Sequence, residues 1–305
     1  MSYSKKRIEY NTNWPDKVII FAAQEAYDKL LIDKGVPHIL RPIKIPLIED
    51  YEFQRLLSFK IDIYEQLPKR PDIAFDLAWR NFEAYSVFFS VDQGWSTSKT
   101  HKILNKVCED ILLNQFNSSV ELSNSFLNLI NNVPLQATEF LIKRLLESNT
   151  NALKSQQNKI IERFIEITSQ DLFESLEIKY DFFTPANQRK AGMLLQLLLK
   201  GSEVEINTKK FKLTLMQRLK LIINGILYTY RNERFHGDSF SPFKSSATRL
   251  KTYAHSYYCL IATYFFISQL IFQHYPNKFK MSEIAEQLND NTNRFVLVFG
   301  NQIKA

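Results

Sequence analysis

The segment LTLMQRLKLIINGILYTYRNERFH, residues 213–236, contains the clearest helical pattern in the chain. Its apolar residues recur at spacings of three and four, as in Leu215, Leu219, Ile222 and Ile226. This spacing places them on one face of an α-helix, and Gly237 follows as a helix stop. A second long apolar segment covers residues 246–275, only a short loop away. We therefore predict two long antiparallel helices that pack along each other.

The second segment is apolar enough to resemble a membrane span over residues 257–272. A helix that crosses a bilayer needs about 20 consecutive apolar residues, and this stretch is shorter and carries Ser268 and Gln269. We interpret it as a buried core helix. No apolar segment follows Lys5, Lys6 and Arg7, so no secretory signal is expected either.

The same helical spacing recurs on both sides of this pair. The first helix is predicted to open at Trp14-Pro15-Asp16 and to end before Gly35. Further helices are predicted over residues 49–67, 72–91, 101–114, 120–130, 135–146, 159–167, 186–199 and 281–288. Residues 292–299 fit a short strand or a helix equally well. The polar stretch 148–158 separates a predicted N-terminal helical region of unknown role, residues 1–150, from a helical domain, residues 156–305.

Composition supports an all-α fold and excludes several function classes. The chain has 305 residues, of which 45% are hydrophobic and only 7 are Gly. This is the composition of a globular protein, and its glycines are too few and too scattered for a G-x-G-x-x-G or Walker loop. Two cysteines, Cys108 and Cys259, form no zinc motif and are typical of a reducing compartment. We expect a soluble, cytoplasmic protein without a metal or other cofactor.

The positive charge of the chain is concentrated in one segment. The net charge is +7, and residues 207–252 contain ten basic residues but only two acids, Glu233 and Asp238. The basic residues are Lys209, Lys210, Lys212, Arg218, Lys220, Arg231, Arg234, Lys244, Arg249 and Lys251. Such a segment suggests a polyanionic partner, above all nucleic acid. The alternative is a solvated helix face without a partner.

A triplet of reactive residues lies inside this basic segment. Arg231, Asn232 and His236 form the pattern R-N-x-x-x-H at the end of the first long helix. RNA brings its own nucleophile, the 2′-hydroxyl, so cleavage requires a group that transfers protons near neutral pH and a cation for the phosphoryl oxygens. His and Arg supply these two functions. We therefore assign His236 as general acid or base, Arg231 as phosphate clamp and transition-state stabiliser, and Asn232 as orienting donor.

The motif and its helical context, residues 186–288, resemble the HEPN superfamily, whose R-x4-6-H motif this segment matches. Many members are metal-independent ribonucleases, and the polar residue directly after the Arg is typical of active ones. The resemblance implies an endoribonuclease in microbial defence or a toxin–antitoxin system, with RNA as substrate and a neutralising partner protein. It also implies a homodimer in which two motifs face each other. Some family members bind RNA without cleaving it.

The spacing within the motif restricts how it can act. On a regular helix, Asn232 and His236 share a face, whereas Arg231 and His236 lie about 140° apart around the axis. Arg231 and His236 converge only if the helix frays near its end or if a second chain completes the site. His236 may instead cap the last helical carbonyls, with no role in chemistry.

The remaining candidates are weaker. Arg234, Lys209, Lys210, Lys212, Lys244, Arg249 and Lys251 are candidate RNA contacts, and Glu233 is a secondary candidate beside the motif. The residues His255, Tyr253, Tyr257, Tyr258 and Tyr264 are more typical of a packed core than of a base-stacking surface. The pair Arg80-Asn81 is interpreted as structural, because Tyr85 stands where a His is needed. A non-catalytic RNA-binding protein and a helical scaffold that binds an acidic protein remain alternatives.

Overall fold

The chain is almost entirely α-helical, as its spacing of apolar residues predicts. The computed structural model describes residues 2–97, 99–147, 151–180, 184–236 and 241–303. The side chains of residues 151–156 and of His236 lie outside the described part. Within that part, the helices form one all-α bundle with a single short β-hairpin.

The helices follow one another with short connections. Their bounds are α1 (Tyr3–Asn13), α2 (Ala22–Lys34), α3 (Tyr51–Glu65), α4 (Pro71–Asp92), α5 (Thr100–Lys106), α6 (Leu113–Ser118), α7 (Val120–Asn131), α8 (Leu135–Leu146), α9 (Asn151–Ile167), α10 (Gln170–Lys179), α11 (Pro185–Leu199), α12 (Leu215–Lys220), α13 (Tyr228–His236), α14 (Leu250–His274) and α15 (Met281–Ile303). The hairpin consists of β1 (Val204–Ile206) and β2 (Lys209–Phe211), which pair antiparallel.

Helix α14 is the centre of the bundle. All residues at positions 253–271 are buried, and α4 and α15 pack along its length, with α2 and α8 on its other sides. A helix that is apolar on every face needs such a surround in a globular protein. The prediction of a buried core helix is therefore confirmed. Among the described residues, no helix has the length and apolar character that a bilayer crossing requires.

Two of the predicted helices, residues 101–114 and 213–236, contain wider, π-helical turns that the spacing did not indicate. Residues Val107–Leu112 join α5 to α6, and residues Leu221–Leu227 join α12 to α13. Every residue of the second turn is buried, and Asn224 within it donates from Nδ2 to Asn105 Oδ1 at 2.7 Å. A π turn shifts the helical phase, so the helix presents a different face after it than before it. This shift sets the direction in which the motif residues point.

Three other sequence expectations differ from the structure. Trp14 and Pro15 do not open a helix; Trp14 ends α1, and the next helix begins at Ala22. The helix predicted over residues 281–288 is longer, because α15 is continuous over Met281–Ile303 and includes residues 292–299, for which helix was one of the two alternatives. Helix α10 and the hairpin were not predicted.

One hydrophobic core includes residues from both predicted regions. It extends along the chain from Ala23 to Ile303 and includes side chains from α4 and α7, which pack on α14 and α15. Helix α9 occupies part of the polar stretch 148–158 that was predicted as a boundary. The N-terminal helices therefore form part of the environment of the motif.

Helix α3 buries a lysine without a counter-ion. The Lys60 side chain is 1% exposed, and its Nζ has no hydrogen-bond partner among the described residues. The Nζ lies 4.4 Å from the centre of the Tyr264 ring. Burial lowers the pKa of Lys60 to about 7. Tyr64 and Tyr264 share a hydrogen bond of 2.8 Å beside it, and burial raises the pKa of both phenols, so they stay neutral in this range.

We expect Lys60→Met to stabilise the protein and to flatten its pH dependence. Between the folded pKa near 7 and an unfolded pKa near 10.4, the unfolded chain binds a proton that the folded chain does not. The wild type therefore gains stability as the pH rises through this window. At pH 7 the substitution should raise the free energy of unfolding by roughly 3 kcal/mol, because a cation–π contact offsets only part of the burial cost. Denaturant unfolding at pH 7 and pH 9 measures this.

The exposed Lys44 provides the matched control, since Lys44→Met removes the same group from the surface. That variant should keep the wild-type pH dependence and change stability by less than about 0.5 kcal/mol. A Lys60→Met protein that is less stable than wild type at pH 7 would contradict the expectation.

Candidate functional site

Tertiary contacts of Tyr230 fix the orientation of the motif on α13. The Tyr230 hydroxyl shares a hydrogen bond of 2.9 Å with Ser256 of α14. Its ring packs against Phe75 of α4 and Phe140 of α8, with centroids 5.0 and 5.7 Å away. Tyr230 faces the core, and the residues after it reach the neighbouring helices. Arg231 and Arg234 contact α4, and Glu233 contacts α8.

Arg231 and Asn232 are brought together at the edge of the protein. Arg231 Nη1 donates to Asn232 Oδ1 at 2.9 Å, and Arg231 Nη2 lies 3.5 Å from Glu83 Oε2 of α4. The guanidinium carbon lies 4.4 Å from the centre of the Phe235 ring. A quarter of the Arg231 side chain is exposed, and its Nε has no partner among the described residues. Because the Nε is buried, the donors of Arg231 that stay available to a ligand are the remaining N–H groups of Nη1 and Nη2.

The backbone of α13 is α-helical through His236, whose side chain lies outside the described residues. On a regular helix, positions 231 and 236 lie about 140° apart around the axis. Of the two routes considered for convergence, the first is fraying or bending near Phe235-His236-Gly237. The helix is unbroken through His236, and Gly237 lies outside the described residues. The second route, completion by another chain, stays a prediction.

Arg234 belongs to an ion cluster that connects α13 to the start of α4. Its Nε donates to Asp76 Oδ1 at 2.8 Å, and its Nη2 contacts Asp72 Oδ2 at 3.1 Å. Arg70 binds the same Asp72 through two bonds of 2.8 and 2.9 Å. The side chain of Asp72 is fully buried and that of Arg234 is only 11% exposed. The prediction that Arg234 contacts RNA therefore conflicts with its position, and its role is to stabilise the fold.

The pKa values of the two carboxylates in this cluster are shifted in opposite directions. Burial favours the neutral form of both. At Asp72 the bonds from Arg70 and the charge of Arg234 outweigh burial and hold its pKa below the usual value. At Asp76 burial prevails over Arg234 and raises the pKa. Both carboxylates also act on Arg234, whose pKa is raised despite burial, so the guanidinium remains charged.

Glu233 has a structural partner as well. Arg144 of α8 donates from Nε to Glu233 Oε2 at 3.0 Å and from Nη2 to the other carboxylate oxygen. The Glu233 side chain is 14% exposed. This pair connects α13 to α8, whereas the Arg234 cluster connects α13 to α4. Glu233 is therefore occupied within the chain.

In the folded chain, acidic side chains from other segments pair with most of the cations of the basic segment. Six of its ten cations lie within 4.0 Å of a carboxylate from outside the segment: Lys209 with Asp171, Lys210 with Glu203, Lys220 with Glu109, Arg231 with Glu83, Arg234 with Asp72 and Asp76, and Lys251 with Glu139. The charge excess in the sequence is thus much larger than the charge excess on the surface.

The candidate RNA contacts outside α13 occupy different places. Lys209 and Lys210 lie on β2, and Lys212 follows it; all three are exposed. Lys244 is turned inward: its Nζ lies 4.6 Å from the centre of the Phe21 ring and donates to Gln24. This position conflicts with a role of Lys244 in RNA contact. For the three hairpin lysines, RNA contact stays a prediction.

The two basic residues at the start of α14 are accessible. Arg249 is exposed and donates from Nη1 to the carbonyl oxygens of Ser246 and Thr248. Lys251 is about half exposed and lies 3.9 Å from Glu139. Both residues border a cleft between α8, α11, α14 and α15.

Two residues beside the motif were missed by the sequence analysis. Phe235 is 44% exposed, and the guanidinium carbon of Arg80 lies 5.6 Å from the centre of its ring, next to Arg231. Asn81 is buried and donates to a carbonyl of α3, so the structural interpretation holds for Asn81 but not for the exposed Arg80. A usable signal was present. Charged residues on α4 recur at helical spacing, Asp72, Asp76, Arg80 and Glu83, along an otherwise apolar helix.

The aromatic residues of α14 and His255 are part of the core, as interpreted from their spacing. His255 is 4% exposed, with its ring 4.5 Å from that of Tyr230. Burial lowers the pKa of His255 to about 3, so the imidazole is neutral at physiological pH. The side chains of Tyr253, Tyr257, Tyr258 and Tyr264 are also fully buried. None of these residues is accessible to a nucleic acid base.

We compared the chain with protein-family models, with curated proteins and with solved structures, and found no match in any of the three. Within the part of the chain that the structure describes, no three His, Cys, Asp or Glu side chains are grouped closely enough to hold a metal ion. The geometry around Arg231 and the resemblance of the motif to the HEPN superfamily are therefore the observations that bear on function.

Proposed function

We propose that the chain is a metal-independent endoribonuclease and that Arg231, Asn232 and His236 at the end of α13 carry out the cleavage. One observation carries the proposal. Arg231 is held by Asn232, Glu83 and the Phe235 ring at the protein surface, with donors left over for a ligand. Its neighbours Glu233 and Arg234 are committed to intramolecular ion pairs. Arg231 is the motif cation that a phosphate can reach.

The contacts of Arg231 suit a group that must release one partner and bind another. Its contact with Glu83 is long, 3.5 Å, and each side chain is a quarter exposed. An exposed pair of this kind contributes less than about 1 kcal/mol, so a phosphate diester can displace the carboxylate. Asn232 Oδ1 accepts from Arg231, and this bond directs the Nδ2 donors of Asn232 away from Arg231. Both side chains then donate to the same phosphoryl oxygens.

The proposed reaction transfers the phosphoryl group within the RNA. His236 accepts the proton of the 2′-hydroxyl, whose oxygen attacks the adjacent phosphorus. The bond to the 5′-oxygen of the next nucleotide breaks, and that oxygen takes up a proton from water, while His236 returns its proton to solvent. Arg231 and Asn232 stabilise the negative charge that grows on the phosphoryl oxygens. The products are a 2′,3′-cyclic phosphate and a free 5′-hydroxyl.

A second copy of the chain is part of the proposal. Positions 231 and 236 lie about 140° apart around the axis of a regular helix, which favours a site shared between two chains. In a symmetric dimer with the two α13 ends face to face, Arg231 of one copy meets His236 of the other. The HEPN resemblance implies the same arrangement.

RNA binding is proposed to use the exposed side chains beside the motif. Phe235 offers an aromatic face between the guanidinium groups of Arg80 and Arg231. Unpaired bases stack on such faces, and arginines beside them bind the phosphate backbone. The proposal includes the cytoplasmic setting, and the HEPN resemblance extends it to microbial defence or a toxin–antitoxin system with a neutralising partner. A protein that binds RNA at this surface without cleaving it is the alternative.

Cleavage of a fluorescent single-stranded RNA in EDTA tests the proposal. We expect fragments that end in 2′,3′-cyclic phosphate, and we expect no cutting of the same sequence made of DNA, which lacks the nucleophile. RNA that is bound but stays intact would support the binding alternative. Cleavage of the DNA as well would contradict the proposed chemistry.

A further inference from the structure

A basic cleft lies away from the Arg231 surface, where four helices meet. It has a volume of about 420 Å³ and is bordered by the start of α8, by α11, by the start of α14 and by the end of α15. We call it the α8–α14 cleft. Small-molecule sites in proteins have volumes of about 300–1,000 Å³, so the cleft has room for one ligand of modest size.

The charges around the cleft favour an anion. Three cations border it, Arg189, Arg249 and Lys251, against the single carboxylate of Glu139. Glu139 has Lys251 as its partner at 3.9 Å, and its side chain is only 12% exposed. Arg189 is exposed and has no partner among the described residues. Two positive charges therefore remain uncompensated in one concave site, which suits a phosphate group.

Arg249 is preorganised for this role. Its Nη1 donates to the carbonyl oxygens of Ser246 and Thr248 at 2.8 and 2.7 Å, which fix the guanidinium at the start of α14. The other donors of the guanidinium stay available for a ligand. A side chain that is already held in place loses little conformational freedom on binding.

The neutral side chains of the cleft indicate more than a bare phosphate. Gln136 and Gln302 line the cleft, and the Oε1 atom of each is buried without a hydrogen-bond partner among the described residues. Buried amide groups are nearly always paired in folded proteins. Rotation of each side-chain amide toward the cleft would pair it with a ligand that carries hydroxyl or amino donors as well as a phosphate. Leu135 and Leu250 add an apolar wall.

We propose that the α8–α14 cleft binds a free nucleotide, with its phosphate on Arg189, Arg249 and Lys251 and its ribose or base against Gln136 and Gln302. This ligand meets the charge, the donor requirement and the volume together. The site is separate from Arg231, so this proposal stands or fails independently of RNA cleavage.

Isothermal titration calorimetry with adenosine monophosphate tests the proposal on the full chain. We expect adenosine and inorganic phosphate each to bind at least about tenfold more weakly than the nucleotide, because each offers only half of the contacts. The double variant Arg189→Gln/Lys251→Gln should bind the nucleotide about tenfold more weakly. Its matched control, Lys44→Gln/Lys278→Gln, removes two exposed lysines away from the cleft and should stay within about twofold of wild type.

A third variant reverses the direction of the effect. Glu139→Gln keeps the shape of the side chain but removes the carboxylate, so we expect about threefold tighter binding. This result is informative even if the double variant does not fold. Absence of nucleotide binding by the wild type, or equal binding by wild type and the double variant, would overturn the proposal. Binding of a 5′-phosphorylated RNA without binding of the free nucleotide would overturn it too.

Discussion

Arg234→Ala is expected to lower the free energy of unfolding by about 3 kcal/mol, because removal of one partner from a buried ion cluster leaves the others uncompensated. Asp76 loses its two bonds to the guanidinium, and the fully buried Asp72 keeps only Arg70. Denaturant unfolding at pH 7 measures the loss. The second substitution Asp76→Asn in the same chain should recover part of it, since a neutral amide needs no counter-ion.

Arg231→Ala is the matched comparison on the same helix. Its partner Glu83 is a quarter exposed, so water replaces the lost contact and stability should change by less than about 1 kcal/mol. Equal destabilisation by the two substitutions would contradict the assignment of Arg234 to the fold and of Arg231 to a ligand.

For RNA cleavage the two arginines should behave differently. Arg231→Ala should reduce the cleavage rate by about 100- to 1,000-fold, the usual effect of removing a preorganised donor to the transition state. Arg231→Lys keeps the charge but loses the planar fork, so it should not restore the wild-type rate. The rate is measured in EDTA under single-turnover conditions, with Lys44→Gln as an exposed control outside the basic segment that keeps its activity.

His236→Ala should abolish cleavage, because it removes the proposed general base. The free energy of unfolding should stay within about 1 kcal/mol of wild type. A variant that cleaves at the wild-type rate would exclude His236 from the mechanism. A large loss of stability would instead favour a capping role for His236 at the end of α13.

The local pattern of the sequence was sufficient for much of the fold. The predicted helix over residues 135–146 has the bounds of α8, and the apolar run at residues 257–272 lies within the buried α14. The first has a clear boundary signal in Pro134 just before it, and the second is apolar on every face. Trp14-Pro15 did not have such a signal, since proline fits the first turn of a helix and also the residues just after one.

Tertiary contacts explain the elements that local pattern missed. Residues 289–293, Asn-Asp-Asn-Thr-Asn, appear to interrupt a helix, yet α15 continues through them. Asn291 is buried there, accepts from the Arg41 backbone N–H at 2.8 Å and donates to its carbonyl oxygen. These bonds compensate for the low helix propensity of asparagine. Their partner is some 250 positions away in sequence, so no local pattern reveals it.

In the candidate site as well, local pattern identified some features and distant contacts determine the others. The motif residues were identified from their types and spacing, but the acids that bind Arg231 and Arg234 lie on α4, about 150 positions earlier in the chain. Sequence alone therefore assigned both arginines to RNA, Arg231 as phosphate clamp and Arg234 as a weaker contact, and could not show that Arg234 is held inside the chain. The charged residues at helical spacing on α4, Asp72, Asp76, Arg80 and Glu83, are a sequence signal of a polar partner that the sequence analysis did not use.

The central claim is that Arg231 of one chain and His236 of another form a single cleaving site, and complementation tests it most directly. Arg231→Ala and His236→Ala proteins are assayed on RNA in EDTA, alone and after co-expression. Each alone should be inactive. The mixture should regain about a quarter of the wild-type rate, because half of the dimers are mixed and each mixed dimer has one intact site of two. A mixture as inactive as its components, or a single variant that cleaves at the wild-type rate, would contradict the claim.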